Sequence, residues 1–455
     1  MTSKSLNVAF IHPDLGIGGA ERLVVDAAVG IQKKGHQVIF YTSHHDPNHC
    51  FEETRDGTLK VQVRGDWLPR TIFGRFYILC AILRQFVLVA SLILWERHSY
   101  DIFFVDQLSA CVPLLKWFTT AKILFYCHFP DKLLTQRNST IKKLYRAPVD
   151  KMEELTTGMS DLIAVNSGFT AGMFKKSFPS VHQTPQILYP PINFDAYDRP
   201  VDRNDPTVKI LETDKRVLLS INRFERKKNV ELALRAFAAL KIKNMVPKDV
   251  FANYRLVLAG GYDKRVRENV EYLEELDQLA TEEFGLQTFT IHPSSAAADV
   301  PADAQVVFLC SFNDAQRTFL LDQAKLLLYT PSNEHFGITP VEGMYASVPV
   351  IAVNTGGPVE TVKNKETGLL LPSDPDVWAE GIRDFIIEKY NGKQMGQHGR
   401  QHVQSKFSLP AFADRLEAMM IELETSTPDQ SSSGAVYLLG AIGVLFACII
   451  YCIKQ

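Results

Sequence analysis

Two carboxylates, Glu334 and Glu342, stand eight residues apart around a glycine in the string EHFGITPVE. The preceding run 326–330 is apolar and of strand length, and the final TPVE has the form of a capping box with proline at the first helical position. Glu334 is therefore predicted on a loop beyond a strand. The amides of Phe336 and Gly337 would lie near the positive end of the next helix, where an anionic phosphate is stabilised. The alternative is that Glu342 only caps its own helix and Glu334 is a solvated loop acid.

A second charged cluster, SINRFERKKN at 220–229, follows the apolar run 217–221 and precedes a helical pattern at 230–240. Arg223 can hold phosphate oxygens as a two-pronged donor, and Lys228 can act as a point charge. Both would neutralise a diphosphate leaving group as a glycosyl bond breaks. With the carboxylate pair, the cluster predicts a site for a nucleotide sugar, whereas on its own it is equally a solvated basic turn.

A glycine-rich loop follows the first predicted strand. The string HPDLGIGGA at 12–20 opens a helix that Gly35 is expected to end. A nicotinamide fingerprint needs a third glycine where Glu21 stands, and an acid closing the second strand, where YTS stands instead, so a dehydrogenase is disfavoured. Gly18 and Gly19 still permit close approach of the backbone to a phosphate or sugar, with a structural tight turn as the alternative.

His128, in the string YCHFP, follows another apolar run and is predicted at the carboxyl end of its strand. A histidine there can reach a ligand, although a satisfied, partly buried histidine is the common alternative. The following stretch, 132–146, is basic and could hold an anionic acceptor at a membrane or form a solvated helix face. Its basic residues are Lys132, Arg137, Lys142, Lys143 and Arg146.

Alternating strand-like and helical runs are expected to position these residues. The strand-like runs are 6–11, 38–41, 102–105, 123–126, 162–165, 187–189, 217–221, 256–259, 289–291, 306–309, 326–329 and 350–353. Such alternation predicts parallel sheets, and the string YPPIN at 189–193 breaks it as a hinge would. The predicted fold is α/β, with two doubly wound Rossmann-like domains at 1–190 and 191–424 facing across a cleft.

Composition limits the other function classes. The chain has 455 residues, 46% of them hydrophobic and 22% charged, which favours two domains with accessory segments. A formal net charge of -2 and the lack of a nucleic-acid motif predict no nucleic-acid partner. Seven scattered cysteines fit a reduced compartment, and the N-terminus runs into a strand-like segment without a secretory signal.

Two segments bear on membrane attachment. The run 435–453 is uncharged, mostly apolar and long enough to span a bilayer, so it predicts a transmembrane tail anchor after a polar linker at 425–434. The apolar segment 73–95 is interrupted by Arg75 and Arg84. It is therefore predicted as a core helix or as a helix in the membrane interface, and the two predictions are equally supported. A helix that spans the membrane is less favoured than either.

Together, these loops resemble the retaining glycosyltransferases of the GT-B architecture. More closely, five strings look like those of the dolichol-pathway alpha-1,3/1,6-mannosyltransferases. They are HPDLG at 12–16, GGAER at 18–22, ILFYCHFPD at 123–131, SINR at 220–223 and YTPSNEHFG at 329–337. Many transferases share the single motifs, whereas the combination is specific.

The resemblance covers about residues 6–424 and implies mannose transfer from GDP-mannose to the mannosyl-chitobiosyl diphosphodolichol intermediate. One enzyme would add an alpha-1,3 and then an alpha-1,6 mannose during lipid-linked oligosaccharide assembly for N-glycosylation. The implied location is the endoplasmic reticulum membrane, with the catalytic domains on the cytosolic face. Other early dolichol-pathway mannosyltransferases are candidate partners.

The resemblance also implies roles for individual residues. Glu334 would bind mannose hydroxyls, Glu342 the nucleotide ribose, and Arg223 with Lys228 the diphosphate. His128 would contact the transferred sugar. The implied mechanism is retention by same-face attack, in which the departing diphosphate helps to deprotonate the acceptor hydroxyl, and no nucleophile is assigned.

The remaining donor-side residues act through the backbone. Phe336, Gly337 and Ile338 are assigned to donor binding, the first two through their amides, and Gly18 with Gly19 would leave room for acceptor and phosphate. The sequence contains no metal-ligand triad, so no metal and no other cofactor is predicted.

Alternative functions remain open at this point. Another GT-B transferase could use the same carboxylates and basic turn with a different nucleotide sugar. A catalytically silent membrane scaffold subunit would not need Glu334, Glu342, Arg223 and Lys228 together. A lectin-like module would not need the basic turn.

Overall fold

The computed structural model describes residues 4–72, 74, 76–96, 99–135, 140–293 and 299–426, with the side chains of a few of these excepted. Two compact units are present. The first contains the described residues up to Pro191 together with those from Leu409 onward, and the second is Ile192–Ser408.

The first unit is built on a parallel sheet with helices on both faces. In its described part, the strands are Asn7–His12 (β1), Gln37–Thr42 (β2), Lys60–Val63 (β3), Ile102–Asp106 (β4), Lys122–Cys127 (β5), Leu162–Val165 (β6) and Gln186–Ile187 (β7). Their order is β3-β2-β1-β4-β5-β6-β7. The order reverses between β1 and β4, and such a switch point is where ligands bind in doubly wound folds.

The helices of this unit cover both faces of the sheet. They are Gly19–Lys33 (α1), Tyr77–Trp95 (α2), Val112–Phe118 (α3), Asp131–Leu134 (α4), Thr140–Gly158 (α5) and Gly168–Ser177 (α6). Helix α1 buries the apolar stripe that contains Leu23, Ala27 and Ile31, and it ends as predicted at Gly35, whose φ of 92° is left-handed.

The second unit has its own parallel sheet. Its described strands are Arg216–Ile221 (β8), Tyr254–Gly260 (β9), Thr288–Ile291 (β10), Val306–Cys310 (β11), Ala324–Tyr329 (β12), Val350–Val353 (β13) and Gly368–Leu371 (β14). Their order is β10-β11-β9-β8-β12-β13-β14, so the switch point lies between β8 and β12. A core around the fully buried Phe237, Phe308 and Trp378 holds the helices to this sheet.

The described helices of the second unit range from 4 to 15 residues in length. They are Asp195–Asp198 (α7), Pro206–Lys209 (α8), Val230–Ile242 (α9), Lys248–Ala252 (α10), Arg267–Gln278 (α11), Asp314–Gln323 (α12), Ile338–Tyr345 (α13), Pro358–Thr361 (α14), Pro375–Ile386 (α15) and Gly392–Lys406 (α16). A single 3-10 turn at Arg226–Lys228 precedes α9, and a π-helical turn at Leu279–Glu283 follows α11.

The last described helix, Leu409–Thr425 (α17), returns to the first unit. Its buried residues Phe412, Leu416 and Met420 join the core beneath α1, where Gly30 lies so close to Ala413 that an added Cβ would stand 3.0 Å from the Ala413 Cβ. The second domain therefore ends at Ser408 in the structure and not at 424 as predicted. An amphipathic pattern shows that a helix buries one face but not which sheet that face covers.

All twelve strand-like runs of the sequence analysis are strands, with bounds that differ from the predicted ones by at most two residues. The two strands that were missed, β3 and β14, are edge strands of their sheets. Each has four residues, and β3 is half-exposed along most of its length, so neither carries a long apolar run.

Helix α2 occupies most of the apolar segment 73–95. Among the described residues it is the one helix that is long and apolar enough to cross a membrane, and half of its apolar window is buried. Leu88, Val89 and Leu92 pack into the core of the first unit, while Tyr77 and Trp95 are exposed. The structure thus shows one core-facing side, as predicted for a core helix, together with an open apolar side. The predicted tail anchor at 435–453 and its linker lie outside the described residues.

Candidate active site

The switch point of the second unit is held by a short polar network. Asn222 and Thr330 follow β8 and β12, and their side chains approach each other with Nδ2 to Oγ1 at 3.5 Å. The Thr330 hydroxyl donates to the backbone carbonyl of Lys228 at 2.8 Å. The basic turn after β8 is therefore fixed to the carboxyl end of β12, where the predicted Glu334 loop begins.

This arrangement brings two predicted site residues into direct contact. Lys228 Nζ donates to Glu334 Oε1 at 2.8 Å, and their side chains keep only 18% and 28% exposure. Each charge offsets the desolvation of the other. An ammonium and a carboxylate thus stand together where a phosphate and a polyhydroxylated sugar would each find a charged partner.

Arg223 stands apart from that pair. Its side chain is 71% exposed, and its nearest acidic group is Glu225, with Nη1 to Oε1 at 3.7 Å. The guanidinium is thus free to reorient in solvent, whereas Lys228 is held. The structure confirms the predicted position beyond β8 for both residues but brings only Lys228 next to Glu334.

A glycine pair that the sequence analysis did not single out supports the Glu334 loop. The amide of Gly357 donates to the carbonyl of Glu334 at 2.7 Å. At Gly356, φ is +73°, and an added Cβ would stand 2.6 Å from that same carbonyl oxygen. Only glycine fits both demands. Two adjacent glycines three and four residues after the end of an apolar strand, here β13, were the available signal.

The start of α13 differs from the prediction. The helix begins at Ile338, and its N-cap is Gly337 with φ of +79° and no side-chain cap hydrogen bond. The predicted capping box is therefore wrong, because the left-handed glycine ends the loop two residues before the predicted N-cap Thr339 and places Pro340 inside the first turn. Phe336 is buried against Phe407, with ring centroids 5.7 Å apart, while Ile338 is 39% exposed.

Glu342 does not cap its own helix. It is 8% exposed, its Oε1 accepts a hydrogen bond from the Tyr197 hydroxyl, and Arg317 Nη1 lies 3.8 Å away. Burial, followed by the Glu342 charge, raises the pKa of Tyr197, so the phenol stays protonated as a donor. Tyr197 and Arg317 were missed, because neither lies in the motifs and only the fold brings them to α13.

In the first unit, His128 lies beyond β5 as predicted, and two further buried residues accompany it. Asp106 ends β4 and is fully buried, and its Oδ1 lies 2.7 Å from His128 Nε2. Its Oδ2 lies 2.9 Å from Nδ1 of His12, which ends β1. The alternative of a satisfied, partly buried histidine also agrees with the partial burial of His128, whose side chain keeps 23% exposure.

The glycine-rich loop forms the start of α1. Gly18 is the extended N-cap residue, and a Cβ at this position would collide with the Glu21 carboxylate. At Gly19, by contrast, no described atom lies within 4 Å of an added Cβ. The Glu21 carboxylate is the end of a flexible side chain that can turn away, so this contact does not by itself require glycine at position 18, and open space adjoins Gly19.

The basic stretch 132–146 is partly structural. Arg146 is 4% exposed and donates to Asp131 at 2.6 Å and to Asp150 at 3.0 Å, so its charge is already used within the protein. Lys143 is exposed, Arg137 lies outside the described residues, and nothing is described of the Lys142 side chain. In the described part of the chain, no three His, Cys, Asp or Glu side chains are grouped to hold a metal ion.

Two family descriptions match successive parts of the chain. Residues 17–196 match "Glycosyltransferase Family 4", and residues 202–402 match "Glycosyl transferases group 1". The two matches fall almost wholly on the first and second units.

Full-length relatives are also similar. The chain is 45% identical to alpha-1,3/1,6-mannosyltransferase ALG2 of Dictyostelium discoideum over 92% of this chain and 99% of that protein. It is 45% identical to the Mus musculus protein of the same name, over 92% and 97%, and 43% identical to that of Saccharomyces cerevisiae, over 90% and 83%.

Solved structures share the fold at low identity. Sucrose-phosphate synthase from Thermosynechococcus elongatus aligns with a TM-score of 0.66 at 20% identity, covering 93% of this chain and all of that one. Anabaena Alr3699/HepE in complex with UDP and glucose aligns with a TM-score of 0.61 at 17% identity, over 92% and 100%. These likenesses confirm the predicted pair of Rossmann-like domains of the GT-B type.

Proposed function

Since the chain belongs to the alpha-1,3/1,6-mannosyltransferase family, we propose that it transfers mannose from GDP-mannose to the mannosyl-chitobiosyl diphosphodolichol intermediate. It adds an alpha-1,3 and then an alpha-1,6 mannose. Relatives of that name at about 45% identity over nearly the whole chain support the reaction class. Within the molecule, the proposal is carried by the Lys228–Glu334 pair at the switch point of the second unit.

The donor would exchange partners with that pair. Its diphosphate takes Glu334's place as the anion beside Lys228, and mannose hydroxyls take the place of Lys228 as donors to Glu334. Arg223, whose side chain is 71% exposed and has only a long 3.7 Å contact with Glu225, swings onto the phosphate oxygens as a two-pronged donor. The amides of Phe336 and Gly337 and the adjoining Ile338 complete the donor side.

Glu342 is assigned to the nucleotide ribose. Only one of its oxygens is engaged by the Tyr197 hydroxyl, so the second is available to accept from a ribose hydroxyl. Because the Glu342 side chain is only 11% exposed, such a bond would form in a poorly solvated environment, and a ligand without the ribose hydroxyl would leave the carboxylate oxygen unpaired there.

The chemistry is retention by same-face attack. The bond between the mannose anomeric carbon and the diphosphate oxygen breaks, and Lys228 with Arg223 stabilises the charge that develops on the leaving group. The acceptor hydroxyl oxygen bonds to the anomeric carbon from the same face, and its proton passes to the departing diphosphate. In the first unit, His128 contacts the transferred sugar, and Gly18 and Gly19 border the acceptor.

The acceptor is a lipid, so the enzyme is proposed to work at the cytosolic face of the endoplasmic reticulum membrane. The most exposed aromatic side chains in the described part of the chain support membrane contact by the first unit. They are Trp67, Tyr77, Trp95, Trp117 and Phe118. Aromatic side chains of this kind are enriched at membrane interfaces. The segment 435–453 would add a tail anchor, and other early dolichol-pathway mannosyltransferases are proposed partners.

The deciding experiment incubates detergent-solubilised protein with GDP-mannose and a phytanyl diphosphate acceptor that carries one mannose on chitobiose. Mass analysis and linkage digestion should show two sequential additions, alpha-1,3 and alpha-1,6. Thermal stabilisation by GDP but not UDP would identify the donor nucleotide. Absence of transfer despite GDP binding would contradict the proposed acceptor.

Metal is proposed to be dispensable for donor binding, because Lys228 and Arg223 supply the positive charge that a divalent cation provides elsewhere. Calorimetric titration with GDP-mannose before and after chelation with EDTA tests this. A loss of affinity on chelation would contradict it.

A further inference from the structure

A chain of charged and imidazole groups crosses three neighbouring strands at the carboxyl edge of the first sheet. His12 ends β1, Asp106 ends β4, and His128 follows β5, and these strands are adjacent. Asp106 Oδ2 hydrogen-bonds with His12 Nδ1 at 2.9 Å, and Asp106 Oδ1 lies 2.7 Å from His128 Nε2 at an angle outside hydrogen-bond geometry. On the far side, His12 Nε2 lies 4.0 Å from the carboxylate of Glu21 in the first turn of α1.

Asp106 is ionised in this position. Burial alone would raise its pKa, but the contacts with His128 and then His12 outweigh burial and lower the pKa of Asp106 to about 2. A carboxylate only accepts hydrogen bonds. The ring nitrogen of each histidine that faces Asp106 must therefore carry a proton, because a nitrogen lone pair there would face negative charge.

For His128 this requirement selects one tautomer. Its Nε2 is the nitrogen against Asp106, so the neutral ring carries its proton on Nε2 and keeps a lone pair on Nδ1. The Tyr126 ring packs edge-on at 4.8 Å, and Asn166 donates to the His128 backbone carbonyl at 3.0 Å, which limits the ring's freedom to turn. Since the side chain is 23% exposed while Nε2 is buried, its open part lies away from Asp106.

We propose that Asp106, held in turn by His12, is a positioning residue that fixes His128 as the Nε2–H tautomer, so that Nδ1 accepts a hydrogen bond from a hydroxyl of the transferred sugar. This inference rests on the proposed contact between His128 and that sugar. With the tautomers exchanged, His128 would present a donor, and a sugar hydroxyl would have to rotate to accept from it. His12 and His128, which lie in the strings HPD and CHFP, are thus connected by Asp106, a residue that belongs to neither string.

The first test reads the tautomer directly. In protein labelled with 15N-histidine, long-range proton–nitrogen spectra at neutral pH distinguish a ring nitrogen that bears a proton from one that bears a lone pair. The His128 signals are assigned by their loss in His128→Asn. We expect a lone pair on Nδ1 in the wild-type protein. A proton on Nδ1, or an equal mixture of tautomers, would overturn the inference.

The second test uses Asp106→Asn, whose amide can accept from only one of the two histidines. We expect the preference of His128 for one tautomer to be lost and kcat/KM for mannose transfer to fall by on the order of 10- to 100-fold, the range known for partners that orient metal-ligating histidines. GDP affinity should be unchanged. Unchanged spectra together with unchanged transfer would overturn the inference.

Asp161→Asn is the matched control. Asp161 is also an aspartate of the first unit, with a side chain that is 9% exposed, but it accepts from the amide of Ile123 at 2.9 Å at the opposite edge of the sheet. It should lower thermal stability without altering the His128 spectrum. If Asp106→Asn does not fold, the wild-type spectrum alone decides the tautomer. If the tautomer is as expected but His128→Asn transfers mannose normally, the sugar contact, and with it the inference, is wrong even where the mannosyltransferase function stands.

Discussion

Replacing Lys228 by alanine should separate catalysis from stability. The Lys228–Glu334 pair is 18% and 28% exposed, and after the replacement Glu334 can still be hydrated. The loss of folding free energy should therefore be about 1 kcal/mol, near the upper end for partly exposed pairs. For a unit of this size that corresponds to a fall in Tm of roughly 2–4 °C.

The expected effect on rate is much larger. If Lys228 stabilises the charge that develops on the leaving diphosphate, its removal should lower kcat by roughly 100- to 1000-fold, or about 3–4 kcal/mol of transition-state stabilisation. Thermal unfolding and initial rates at saturating acceptor measure the two effects on the same preparation.

Lys227→Ala is the matched control for that experiment. Lys227 lies in the same 3-10 turn, but its side chain is 70% exposed and pairs with Glu225 at 3.0 Å. Its replacement should leave the rate within about twofold, as for a solvated surface ion pair. Lys228→Ala with nearly normal transfer, or Lys227→Ala with an equal loss, would refute the assigned role.

Three further predictions follow from single contacts. Tyr197→Phe removes the hydroxyl that holds Glu342, so GDP binding measured by calorimetry should weaken about tenfold for a lost bond of about 1.5 kcal/mol. Tyr254→Phe, which loses only a contact with Arg216, should not change it. Gly356→Ala combines φ of +73° with a Cβ 2.6 Å from the Glu334 carbonyl and should cost about 1–3 kcal/mol of stability and most activity. Gly285→Ala, with φ of +57° and no described atom within 4 Å, should lower stability alone, and equal activity losses would contradict this. Burial raises the pKa of Glu153 to about 7, so the folded state binds this proton more tightly than the unfolded state does. The resulting contribution to the free energy of unfolding is fully present below about pH 4.5 and is lost as the pH rises through 7. Glu153→Gln should therefore gain stability relative to wild type between pH 5 and 7.5 in denaturant titrations, and a constant difference would show that Glu153 does not titrate there.

The sequence predicted those parts of the fold that long apolar runs specify. Strands such as β4 and β12 are buried on both faces and read as continuous apolar segments, whereas the edge strand β3 has only four residues, mostly half-exposed. The return of α17 to the first unit depends on contacts between residues that are far apart along the chain, such as Gly30 with Ala413. No local pattern records such a contact.

The candidate site divides in the same way. Glu334 and Lys228 were found because each follows an apolar strand in a motif of charged residues. Asp106 was not found, although it also closes a strand, because a single aspartate after an apolar run carries no motif. The role of Asp106 becomes visible only in the strand order. Its strand, β4, lies between β1, which ends at His12, and β5, which His128 follows.

The paired state of Lys228 and Glu334 also bears on how the proposed donor would be recognised. In the ligand-free protein each charge compensates the other at 2.8 Å. A nucleotide diphosphate without a sugar would engage Lys228 and leave the Glu334 carboxylate, 28% exposed, without a cation. A sugar nucleotide supplies hydroxyl donors to Glu334 at the same time as its diphosphate engages Lys228, so both charges remain satisfied. The product GDP lacks those hydroxyls, and Lys228 would then be drawn back to Glu334. On this argument the ion pair favours binding of the intact donor over retention of the spent nucleotide.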